Sequence, residues 1–163
     1  MKNLLFCFFS LCLSSGLQGQ SAVVDTERLR VNDLEYRTSK EKIIGDFGMP
    51  MEIVEPNYEC GFLSKDEQGV PYYSMKYDNL VFTGNDCEGY LMEEVFFDSA
   101  LNVRITYNGR ALSGATAVRE FEEIFSTQAD GEIVSLFFKG ADDALVFTFK
   151  KGRLSNMRYW SPC

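Results

Sequence analysis

The chain has 163 residues, 45% of them apolar and 14% aromatic, with 24 acidic against 16 basic side chains, a net charge of −8 at neutral pH and no histidine. An acidic chain without a basic cluster argues against nucleic acid or an anionic membrane surface as partner. The missing histidine removes Ser-His and Cys-His nucleophile sites and the H-E-x-x-H metalloproteases, and no G-x-x-x-x-G-K-[ST] or G-x-G-x-x-G stretch is present to cradle a nucleotide.

The N-terminus places Lys2 before an apolar run from Leu4 to Leu13, followed by small and polar residues to Gln20. That order predicts a secretory signal peptide over residues 1–20, with cleavage after Gly16 or Gly19, and hence an exported protein of the periplasm or the medium. Cys12 sits inside the apolar run behind a large leucine, which argues against a lipid anchor, and no other segment is apolar enough to predict a transmembrane span. Of the cysteines beyond the leader, Cys60 and Cys87 lie in polar, glycine-containing sequence and are the expected disulfide, with Cys163 unpaired. Such a bridge would stabilise the fold by roughly 3–4 kcal/mol. A monomer is expected, and neither a metal nor a cofactor, since there is no C-x-x-C pair to join the missing histidine.

Residues 21–27 read as a polar, fraying edge. Alternation over Glu27–Val31, turn chemistry at Asn32-Asp33 and extended sequence over Leu34–Arg37 predict a hairpin. Ser39 is the natural N-cap of a helix whose apolar stripe is Ile43, Ile44 and Phe47, closed by Gly48 and Pro50. A short strand over Met51–Val54 and a loop from Glu55 to Val70 lead into an antiparallel meander: Tyr72–Asp78, Asn79–Thr83 and Tyr90–Phe97, with Gly84–Gly89 as a connecting turn.

The same series then restarts. Val103–Gly109 and Arg110–Ser113 repeat the hairpin, Ala117–Ser126 carries a second helix with Val118, Phe121, Ile124 and Phe125 on one stripe, and Ile133–Lys139, Ala144–Lys150 and Leu154–Trp160 form a second meander. Leu80-Val-Phe-Thr83 recurs as Leu145-Val-Phe-Thr148. The expected fold class is α+β: two tandem repeats, residues 21–98 and 99–163, each a short hairpin, one helix and an antiparallel β-meander, with the helices packed on one sheet face.

A helix that ends in Gly48-Met-Pro50, followed by aromatic strands and then repeated, resembles the tandem-repeat family of the β-lactamase inhibitor protein and the small outer-membrane assembly lipoproteins. The second helix departs from that pattern, ending in Ser126-Thr-Gln128. The resemblance implies a helix packed on an antiparallel sheet, twice over, and a concave sheet face that binds another protein.

Carboxylates are the remaining catalytic candidates. Asp66-Glu67, Glu93-Glu94, Glu122-Glu123 and Asp142-Asp143 are adjacent pairs, but neighbours on a strand point to opposite faces, so Glu93 and Glu94 are not expected to act together. Asn85-Asp-Cys-Glu88 reads as a polar turn rather than a calcium loop.

The positive anomaly is aromatic: eight tyrosines, fourteen phenylalanines and one tryptophan. Placing the more apolar set of each strand under the helices leaves Tyr72, Lys76, Phe137, Arg158 and Trp160 on the other face, and Tyr, Trp and Arg dominate protein interfaces. The same rings would also serve to close core edges. The leading expectation is a non-enzymatic protein that binds a protein or envelope component through this face. The alternatives are an envelope structural or assembly factor and a carboxylate hydrolase.

Overall fold

The structure is a computed structural model that describes residues 23–56, 69–97 and 104–162. It is an α+β fold dominated by antiparallel sheet. In chain order the strands are β1 (Val23–Val24), β2 (Leu29–Val31), β3 (Leu34–Glu35), β4 (Arg37–Thr38), β5 (Glu52–Val54), β6 (Tyr73–Lys76), β7 (Leu80–Asn85), β8 (Gly89–Phe96), β9 (Ile105–Tyr107), β10 (Arg110–Leu112), β11 (Ile133–Phe138), β12 (Ala144–Lys150) and β13 (Arg153–Trp160). The helices among the described residues are α1 (Lys40–Phe47) and α2 (Val118–Phe125), with a single 3-10 turn at Thr26–Arg28.

A nine-stranded sheet runs β1-β11-β12-β13-β8-β7-β6-β5, with β4 added beside β8, and a four-stranded sheet runs β10-β9-β2-β3. Tight turns set the hairpins. Asn32, Asn108 and Lys151 adopt positive φ near 50° at the β2–β3, β9–β10 and β12–β13 turns. Gly109 and Gly152 follow the last two at 78° and 72°, the left-handed pair that matches strand twist.

The two helices begin differently. Ser39 Oγ accepts from Lys42 N–H at 3.4 Å, and Gly48 ends α1 at φ 77°. Ala117 offers α2 no side-chain acceptor, so the adjoining β12–β13 turn fixes its start, with Val118 N–H donating to the Gly152 carbonyl at 3.3 Å.

Both helices press aromatic rings against one face of the large sheet. Phe47 lies 5.6 Å from Phe82, and Phe121 lies 4.8 Å from Phe147 and 5.2 Å from Phe149. The small sheet joins the same core through Tyr107, stacked 4.4 Å from Phe125. Burying each large ring stabilises the fold by about 1.5–3 kcal/mol, which makes this one-sided aromatic layer the main cohesive element.

The start of the described chain departs from the expected fraying edge. Val24 is fully buried, β1 pairs in parallel with β11 through Val23↔Phe137 and Val24↔Phe138, and Asp25 N–H donates to the Tyr107 hydroxyl at 3.2 Å. Two valines against an unfilled sheet edge outweigh the polar residues around them. Among the described residues no helix is long and apolar enough to cross a membrane.

Candidate functional site

With the helices on one side, the cross-strand register defines what the other side presents. Directly paired residues project to the same face. One row therefore crosses seven strands as Glu52, Lys76, Val81, Glu94, Arg158, Val146 and Ser135. On one side of it runs Val23, Phe137, Ala144 and Trp160, and on the other Ile133, Thr148, Asn156 and Phe96. Val23, Phe137, Trp160, Ile133 and Phe96 are all exposed, at 52, 36, 42, 64 and 44%. Five large apolar side chains thus face outward from the β11–β12–β13 half of the sheet and its neighbours.

Four of the expected interface residues share this face. Lys76 and Arg158 belong to the central row, where Lys76 Nζ pairs with Glu52 Oε2 at 3.0 Å and Arg158 stands opposite Glu94. Phe137 and Trp160 flank Ala144 in the apolar row, so the two rings sit over a small residue. Tyr72 is the exception. It is buried at 8% exposure and its hydroxyl donates to Glu88 Oε2 at 2.5 Å, because the β7–β8 turn folds over it.

Glu93 and Glu94 also correct the expectation. β8 pairs Glu94 with Val81 and Met92 with Phe82, leaving Glu93 as the extra residue of a β-bulge. A bulge breaks the alternation and turns both carboxylates to the same face. Each is tied down there: the Thr83 hydroxyl donates to Glu93 Oε2 and lies 2.7 Å from Ser74 Oγ, while Asn156 Nδ2 donates to Glu94 Oε1 at 3.1 Å. The pair braces the sheet, in keeping with a structural use of these acids.

Asn85–Glu88 forms the expected polar turn, in which Asn85 Oδ1 accepts from the backbone N–H groups of Cys87 and Glu88 at 2.9 and 2.8 Å. Cys87 is exposed there and forms no disulfide among the described residues. Its expected partner Cys60, the terminal Cys163 and the leader over residues 1–20 lie outside the described residues.

A second feature, which the sequence reading missed, is a cleft of about 590 Å³. β13 and β4 share one edge of β8, which pairs with β13 as far as Arg158↔Glu94 and with β4 from Leu91↔Arg37. Where one partner gives way to the other, the strands part, and Tyr36, Arg37, Phe138, Asp143 and Tyr159 line the opening with Arg30 and Glu35.

Three rings form its apolar wall. Tyr36 meets Phe138 edge-on at 5.9 Å, and Phe138 lies 6.0 Å from Tyr159. The Tyr159 hydroxyl donates to Asp143 Oδ1 at 2.8 Å, and burial, with that carboxylate beside it, pushes its pKa up to about 12. The Tyr36 hydroxyl is buried without a hydrogen-bond partner among the described residues, and burial raises its pKa well above the ordinary 10. The only sequence signal was tyrosine at positions that otherwise read as core.

Comparison of the chain with protein-family models, with curated proteins and with solved structures finds no match.

Proposed function

We propose that this chain is an exported, non-enzymatic binding protein, built from two tandem α+β units over residues 21–98 and 99–163, that engages a protein partner through the open face of its large sheet.

The strand order supports the two-unit reading, because like pairs with like. The hairpins β2–β3 and β9–β10 meet through β2 and β9, and the meanders β6–β7–β8 and β11–β12–β13 meet through β8 and β13. Leu80-Val-Phe-Thr83 and Leu145-Val-Phe-Thr148 occupy the middle strands of the two meanders, and Val81 and Val146 stand at matching places either side of Glu94 and Arg158. Exchanging the units matches Glu94 with Arg158, Val81 with Val146 and Lys76 with Ser135, leaving Glu52 of β5 without a counterpart.

The observation that carries the function is the outward row Val23, Phe137, Ala144 and Trp160. Solvated sheet faces of antiparallel proteins are ordinarily polar, and contiguous apolar surface rimmed by charge marks an interaction site. Here Arg158, Glu94 and Lys76 supply the rim, and the rings of Phe137 and Trp160 are the anchors a partner would cover.

The test is affinity enrichment of tagged residues 21–163 from an envelope extract, beside a Phe137→Ala/Trp160→Ala variant with an unchanged thermal melt. The reading expects a protein retained by wild type and lost from the variant, then reproduced with the purified partner. Identical retention by both forms, or none by either, overturns it.

A further inference from the structure

We infer that the cleft between Tyr36, Phe138 and Tyr159 is a binding site for a neutral polyhydroxylated ring, a sugar-type ligand, separate from the open sheet face.

The first support is an orphaned group. Tyr36 is 5% exposed and its hydroxyl lacks a partner among the described residues. A buried hydroxyl left unsatisfied is costly, and native folds seldom keep one without a use. The Tyr36 side chain lines the cleft together with Tyr159, Arg37 and Asp143. The cleft is therefore the place beside Tyr36 where a partner for that hydroxyl can be supplied.

The second support is spare hydrogen-bonding capacity on opposite charges. Arg37 makes one long bond, from Nη1 to the Glu88 carbonyl at 3.5 Å, and Asp143 receives the Tyr159 hydroxyl on Oδ1 alone. Neither forms an ion pair among the described residues. A guanidinium has five N–H donors and a carboxylate about four acceptor positions, so most of both remain unused among the described residues.

These features select the ligand class. Glu27, Glu35 and Asp143 oppose an anion, while Arg30 and Arg37 oppose a cation, so the lining favours a molecule without net charge. Three separate polar positions, a tyrosine hydroxyl, a guanidinium and a carboxylate, ask for several groups that can each donate or accept. Hydroxyls spaced around a ring supply that, because each is donor and acceptor in one atom. The apolar faces of Phe138 and Tyr159 match the C–H face of such a ring, and a cleft of about 590 Å³ lies within the range of small-molecule sites.

The test titrates residues 21–163 with the methyl glycosides of glucose, galactose and mannose, with glycine betaine, methylammonium and acetate as charged comparators, following aromatic proton resonances by NMR. The inference expects saturable shifts of the Tyr36, Phe138 and Tyr159 rings with at least one glycoside. Tyr36→Phe should weaken that binding about tenfold, the size of one lost hydrogen bond, and Arg37→Gln should weaken it as well. Because the hydroxyl is orphaned in the unbound chain, Tyr36→Phe should leave the thermal midpoint unchanged or higher, which separates a binding role from a structural one. Phe137→Ala/Trp160→Ala should bind the glycoside as wild type does, so failure of the sheet-face reading leaves this one standing. The inference is overturned if no glycoside saturates, if Tyr36→Phe binds undiminished, or if a charged comparator binds in place of the glycosides.

Discussion

Gly45 and Gly84 should respond to the same substitution with opposite signs. Gly45 lies on the exposed side of α1, and a Cβ added there meets nothing within 4 Å. Gly45→Ala should therefore stabilise the protein by about 0.5–1 kcal/mol, through the lower backbone entropy of the unfolded chain. Gly84 faces the paired backbone of β8, where a Cβ would sit 2.0 Å from the Gly89 carbonyl oxygen and 2.6 Å from Tyr90 Cα. Ordinary contact is about 3.5 Å, so the overlap exceeds an ångström, and both neighbours are main chain that cannot rotate away. The strands must part, weakening the Gly84↔Tyr90 and Asn85↔Gly89 pairs and the turn that Asn85 holds. Strain at the upper end of overpacking together with lost hydrogen bonds amounts to about 3 kcal/mol or more. Urea unfolding by circular dichroism and tryptophan fluorescence measures both. For a domain of this size the thermal midpoint should rise by about 1–4 °C for Gly45→Ala and fall by about 10 °C for Gly84→Ala. Shifts of the same sign, or a Gly84→Ala variant within about 1 kcal/mol of wild type, would refute the register that pairs these strands.

Phe121 is fully buried against Phe125, Phe147 and Phe149, so Phe121→Ala should cost about 3–5 kcal/mol in the same urea assay, against less than about 0.5 kcal/mol for Phe137→Ala on the open face. Equal costs would mean that the two sheet faces have been assigned wrongly. Tyr36, Tyr90 and Tyr159 all have folded pKa values above the unfolded value of about 10, with Tyr90 and Tyr159 at about 12, chiefly through burial. The folded chain then holds protons that the unfolded chain has released. The associated stability is complete below pH ~10 and is lost as pH rises through the folded values, by up to about 1.4 kcal/mol per pH unit for each such tyrosine. Urea midpoints between pH ~9 and ~12 should fall with that sense, less steeply in Tyr36→Phe, and an identical slope in the variant would contradict the burial of that hydroxyl.

What was legible in the sequence was what local chemistry decides. Ser39, Gly48 and Pro50 bound α1, and Asn32, Asn108-Gly109 and Lys151-Gly152 sit at the hairpin turns, because cap and turn geometry depend on a few adjacent residues. The strands β1 and β4 were not legible as sheet members. Each has two residues, too few for a period, and each owes its place to an edge supplied by a distant part of the chain. The bulge at Glu93 was equally hidden, since no glycine or proline marks the Met92-Glu-Glu-Val95 stretch, and the alternation argument placed the two carboxylates on opposite faces. Tyr72 was assigned by alternation along its own strand, but the Glu88 turn that buries it lies sixteen residues on.

The candidate sites divide in the same way. Alternation within a strand says which side chains share a face, and that was enough to gather Lys76, Phe137, Arg158 and Trp160. Only register across strands says which of them adjoin, and it is register that sets Phe137 and Trp160 around Ala144 and places Arg158 opposite Glu94. The cleft depends on a further step. Phe138 and Tyr159 belong by alternation to the core set, and they do point to the helix side. They stand, however, where β13 leaves β8 and β4 takes its place, packed against the core and only partly buried. A ring that pattern assigns to the interior then becomes the wall of an opening, and its polar neighbours, Arg37 from one segment and Asp143 from another more than a hundred residues on, acquire a common purpose only when the strands are paired. Tyrosine in a core pattern is the trace this leaves: a phenylalanine would fill the same volume, so each hydroxyl at such a position asks what it bonds. Tyr159 answers with Asp143, and for Tyr36 the described residues supply no answer, which is the ground for seeking one in the cleft it lines.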